Sequence, residues 1–125
     1  MKAAWMYKTE KPIIKEIMTC AKSEIMKFQQ YLSLLNQSAI PDDMKKEMAA
    51  SVNTIQIALK NIKVSFPERD FEIAFAHFFN QVPCYVLGEQ HFLDKSRIVR
   101  INKHFILKVA EQLYPELYTL GDTND

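Results

Sequence analysis

Residues 12–36 read PIIKEIMTCAKSEIMKFQQYLSLLN, and the spacing inside this stretch decides the fold class. Ile14, Ile17, Ala21, Ile25, Phe28, Leu32 and Leu35 recur at steps of 3, 4, 4, 3, 4 and 3. That rhythm lines apolar side chains along one face of an α-helix, whereas a strand would alternate every second residue. Pro12 suits the first turn, where its missing N–H is no loss. At 1.5 Å per residue the helix is roughly 37 Å long, enough to be the spine of a small bundle.

Outward from it, residues 36–41 break the pattern and a second helix is predicted over residues 41–63. Its stripe is Met44, Met48, Val52, Ile55, Leu59 and Ile62, with Asp42 and Asp43 at the positive end of its dipole and Lys60 and Lys63 at the other. Ser65 and Glu68 have the spacing of a capping box. A third helix over 67–81 carries Phe71, Ile73, Ala74, Phe75, Phe78 and Phe79; apolar over most of its circumference, it is expected to be the central, most buried element. Val82 and Pro83 stop it, and 82–94 reads as an irregular loop or short helix. A last helix over 95–114 starts after Asp94 as N-cap, with Ile98, Ile101, Phe105, Val109 and Leu113 as its stripe. Pro115 ends or kinks it, Leu117 to Leu120 pack back, and 121–125 form a polar tail. The expectation is all-α: one compact domain over residues 1–125, built on four main helices.

Composition agrees. Of 125 residues, 48% are hydrophobic and 25% charged, which is ordinary soluble globular usage. Only two glycines occur, Gly88 and Gly121. That excludes a P-loop and a dinucleotide fingerprint, which need several glycines within a few residues, and it argues against tight hairpins. Gly88 is expected to be the only glycine inside the folded body. Cys20 and Cys84 show no metal-ligand spacing; one disulfide is open to a secreted chain, but two reduced thiols are expected. The N-terminus has no signal-peptide core, and no apolar run approaches the ~18 residues of a membrane helix, so the expected compartment is the cytoplasm, with no membrane partner.

Sixteen Lys and Arg against fifteen Asp and Glu leave a net charge of +1. The balance hides segregation. Residues 95–108 hold five basic residues (Lys95, Arg97, Arg100, Lys103, Lys108), His104 and no acid, whereas 68–94 hold five acids and only Arg69. Such runs are commonly solvated helix faces. Read functionally, Glu68, Asp70, Glu72, Glu89 and Asp94, with Tyr85, His91 and Phe92 as aromatic anchors, form a partner-binding surface complementary to a basic protein; Tyr85 and Phe92 instead serve the core if the surface is not used. Arg97, Arg100, Lys103 and Lys108 are the candidate phosphate-binding residues, and Arg97, Arg100, His104 and Lys108 share one helix face able to track a nucleic-acid backbone. No aromatic interleaves with that face to stack bases.

No histidine or carboxylate pair has metal-ligand spacing, so no metal or cofactor is implied. His77, among Phe75, Phe78 and Phe79, reads as structural. Cys84 with His91 or His104 lacks a third group to orient a base. The stretch from Arg97 to His104, RIVRINKH, resembles the HEPN ribonucleases, whose Arg and His lie within a few residues on one helix of a small bundle. The resemblance covers eight residues and has Ile98 where the family usually has a polar residue. It implies that Arg97 and His104 are catalytic, activating a ribose hydroxyl and stabilising a pentacoordinate phosphate without metal. Two functions therefore stand as expectations: first, a non-enzymatic bundle, of the immunity-protein kind, that neutralises a bacterial toxin by occluding its active site; second, a metal-independent HEPN-like ribonuclease or RNA-binding bundle.

Overall fold

A computed structural model describes residues 2–123. The fold is all-α: among the described residues there are seven helices and no strand. They are α1 (Ala4–Lys8), α2 (Pro12–Leu35), α3 (Asp42–Ser65), α4 (Glu68–Phe79), α5 (Cys84–His91), α6 (Lys95–Leu113) and α7 (Pro115–Thr123). The four long helices lie where the apolar stripes place them, and Pro12 is the first-turn proline of α2. Three short ones are added. The 82–94 segment resolves into helix α5 with short flanks. No helix is long and apolar enough to cross a membrane among the described residues.

The centre is α6, not α4. Helix α6 packs against α2, α3, α4, α5 and α7, and Ile98, Ile101, Phe105, Ile106, Leu107, Val109 and Ala110 are all buried. The α4 ring of aromatics reads as the most buried surface in the sequence, yet Phe71, Phe75 and Phe78 are only partly buried. Their stack flanks Phe105 and ends at an open groove. The stripes of α2 and α3 also fade at one end. Leu32 and Met44 are exposed and Leu35 only half-buried.

Two turn expectations are corrected. Ser65 is the last residue of α3, Phe66 is extended and buried, and Pro67 is the N-cap of α4 with no side-chain cap bond, so Ser65 and Glu68 form no capping box. Asp94 is the N-cap of α6 but likewise makes no side-chain cap bond. The expected polar tail is also corrected as far as Thr123; Asn124 and Asp125 lie outside the described residues. Gly121 is buried inside α7, where a Cβ would stand 2.9 Å from Ile14 Cδ1 and 3.1 Å from Ile13 Cβ. Only a glycine lets α7 lie this close on α2, so Gly88 is not the only glycine of the folded body. Gly88 has its own reason: a Cβ there would meet the Leu93 carbonyl oxygen at 2.8 Å. The close approach comes from the end of α5, where Phe92 turns left-handed at φ 57° and Leu93 N–H donates to Gly88 O at 2.9 Å.

Helices α1 and α7 are tied together. Lys8 Nζ donates to Tyr118 Oη at 3.2 Å and lies 3.5 Å from Asp122, and Lys11 Nζ donates to the Asp122 carbonyl at 2.5 Å. These bonds hold α1 and the start of α2 to α7, which sets α1 where it meets α6.

Candidate functional site

Helix α6 carries Arg97, Arg100, Ile101 and His104 at steps of 3, 1 and 3, all within one face of a 3.6-residue helix. In the structure these four line one cleft of about 200 Å³, closed by Asp70 from α4 and Trp5 from α1. Arg97 and Arg100 are exposed and form no ion pair among the described residues. Asp70 is held instead by its neighbour Arg69 at 3.2 Å.

His104 is fixed between two rings. Trp5 stacks on it with centroids 4.3 Å apart and planes 6° from parallel, and Phe66 is tilted against it at 5.1 Å. This burial, reinforced by the charge of Lys108 and opposed by Asp70, holds the imidazole below the ordinary histidine pKa. It is therefore neutral at pH 7, with a ring nitrogen able to accept a proton. Unpaired guanidinium groups next to a neutral imidazole suit a phosphodiester: the first balance anionic oxygens, the second takes a proton from a hydroxyl.

The four phosphate-binding candidates do not stay together. Arg97 and Arg100 enter the cleft; Lys108 is half-buried and 3.5 Å from Glu111; Lys103 lines another pocket with Asn102 and Cys84. Trp5 was missed in the sequence. It is the only tryptophan, but it lies in a five-residue helix too short to show a period, so nothing tied it to residue 104. It supplies the aromatic surface that the basic face lacks on its own helix.

The partner-binding candidates spread over several elements. Glu68 and Glu72 rim an α3–α4 groove of about 640 Å³ floored by Phe66, Phe71 and Phe75. Asp70 faces the basic cleft. Tyr85 and Glu89 are exposed on α5, His91 is half-buried at its end, and Asp94 starts α6. Tyr85 and Phe92 are not core: they are 62% and 94% exposed.

Among the described residues no three His, Cys, Asp or Glu side chains gather as a metal site. Cys20 and Cys84 are both free thiols. Cys84 meets neither His91 nor His104 but His77 and Asn102. His77 is half-buried, its Nδ1 lying 2.9 Å from the Val82 carbonyl oxygen.

No protein-family model, curated protein or solved structure matches the chain.

Proposed function

We propose that the protein binds the sugar–phosphate backbone of RNA in the cleft between α1, α4 and α6, and that His104 acts there as a general base in metal-independent cleavage. The observation that carries this reading is the convergence of Arg97, Arg100 and His104 in one concave site with both guanidiniums unpaired. It also agrees with the HEPN-like Arg97–His104 spacing. In the reaction His104 takes the proton of a ribose 2′-hydroxyl, and the 2′-oxygen attacks phosphorus. The bond to the 5′-oxygen breaks, leaving a 2′,3′-cyclic phosphate; the departing oxygen takes a proton from water, and the imidazolium gives its proton to the hydroxide so formed. Arg97 and Arg100 balance the charge that builds on the phosphorane, and a base exposed by the strand stacks on the Trp5 side of the cleft.

The test is a labelled single-stranded RNA, assayed for binding and for a cyclic-phosphate product. His104→Ala is expected to lose cleavage by on the order of 100-fold or more while still binding. The Arg97→Ala/Arg100→Ala double variant is expected to weaken binding and to reduce the salt slope by about 0.7 per lost phosphate contact. RNA binding unchanged in that double variant overturns the reading; binding without cleavage removes only the base role of His104.

A second reading has its own observation. Tyr85 and Phe92, at the two ends of α5, expose large aromatic surfaces near Glu89 and Asp94 in sequence, the composition of an interface anchor with an acidic rim. This supports a non-enzymatic immunity protein that covers the active site of a basic toxin domain. Calorimetry against a toxin encoded beside it decides. Reversing the charges of Glu89 and Asp94 is expected to weaken the complex, and an unaltered affinity excludes this surface.

A further inference from the structure

The opposite face of α6 lines a second pocket, of about 350 Å³, with His77, Phe78, Cys84, Asn102, Lys22 and Lys103 among its walls. Cys84 is the first residue of α5, and its Sγ accepts from Asn102 Nδ2 at 3.6 Å. His77 Nδ1 lies 3.9 Å from the same sulfur and 2.9 Å from the Val82 carbonyl oxygen. A carbonyl only accepts, so Nδ1 carries the proton and cannot take the thiol's. The pair is not a turnover nucleophile.

The other end of the amide is unsatisfied. Asn102 is 5% exposed, and its Oδ1 has no hydrogen-bond partner. An unpaired buried carbonyl is destabilising; the oxygen is itself shielded from solvent, so a turn of the Asn102 amide in the pocket wall is what brings it to an N–H donor of an occupant. Lys22 and Lys103 are exposed at the pocket and form no ion pair among the described residues. They favour carboxylates.

We infer that this pocket takes a peptide-like, carboxylate-bearing low-molecular-weight disulfide of the glutathione disulfide type, and that Cys84 forms a mixed disulfide with it. Cys84 gives its proton to solvent, and the thiolate attacks one sulfur of the disulfide. The Sγ–S bond forms as the S–S bond of the reagent breaks, and the other half leaves as a thiolate and is protonated. The reagent is the only oxidant. The inference is independent of RNA binding.

Cys20 is the internal reference. It is exposed on α2 with Glu16 and Glu24 one turn away on either side; Glu24 is paired with Lys27 at 3.3 Å, so Glu16 is the carboxylate that disfavours an anionic reagent there. The whole protein is incubated with glutathione disulfide or with neutral 2-hydroxyethyl disulfide, and adducts are mapped by mass spectrometry. The ratio of Cys84 to Cys20 modification is expected to be on the order of tenfold higher with glutathione disulfide. In Lys22→Glu/Lys103→Glu, whose changes lie on exposed side chains, the ratio is expected to fall to the neutral reagent's value. Asn102→Leu is expected to lower it as well, with circular dichroism reporting whether that variant keeps its helices. Equal ratios for the two reagents, or a ratio unmoved by the lysine reversals, overturn the proposal.

Discussion

His104 owes its chemistry to neighbours that no local pattern announces. On an exposed α6 face it would titrate as an ordinary histidine; between Trp5 and Phe66 it is held neutral to lower pH. Trp5→Ala removes one of the two rings and admits water. The His104 pKa is then expected to rise toward the ordinary histidine value, read from its imidazole resonances in an NMR titration; a pKa unchanged in Trp5→Ala assigns the depression to Phe66 and Lys108 instead. The residue types of the site, Arg97, Arg100 and His104, were legible from their shared helix face. The ring that tunes the histidine was not, because stacking between α1 and α6 is a tertiary contact without a sequence period.

Legibility at the level of elements follows length. Helices α2, α3, α4 and α6 each bury a stripe long enough to show a 3.6-residue period, so their existence and approximate limits could be read directly. Helix α1 spans 5 residues and α5 only 8, too few turns to separate a stripe from chance. Helix α7 was hidden by Gly121, a residue that suggests a chain end in isolation and a close helix crossing in context. Gly121→Val puts a branched side chain against Ile13 and Ile14 and is expected to cost about 1–3 kcal/mol, measured by urea unfolding. The end of α5 behaves in the opposite sense. Phe92 holds a left-handed backbone that glycine adopts freely, and its side chain is 94% exposed. Phe92→Gly is expected to stabilise the fold by about 0.5–1 kcal/mol, the relief of strain being partly offset by the freer unfolded chain. A loss of stability would mean that the ring makes a contact in solution that outweighs the strain.

For the molecule as a whole, the segregated charges become geography. Basic residues of α6 divide between two pockets on opposite faces of the central helix, while the acids of α4 divide between the apolar groove and the basic cleft. The net charge of +1 conceals that division. Which helix is central was not legible, since burial depends on how all the stripes are shared out. Stability carries a pH signature of this centre. His104 binds its proton less readily in the folded chain than in the unfolded one. Its contribution is therefore complete above the ordinary histidine pKa near 6.5 and is lost as pH falls through that value toward the lowered folded one. Urea midpoints are expected to drop across this acid window in the native protein and to drop less in His104→Phe, where nothing titrates at that position. Parallel pH curves for the two proteins contradict the assignment.

The clasp between α1 and α7 bears on how the chain folds as it is made. The bonds from Lys8 to Tyr118 and from Lys11 to Asp122 span 110 and 111 residues, so they cannot form until Tyr118 and Asp122 have left the ribosome. Until then α1 has no α7 to hold it, and Trp5 has no fixed seat over His104. A nascent chain can assemble the α2–α3 pair early, but the cleft beside Trp5 and His104 is completed only after α7 has emerged and clasped α1.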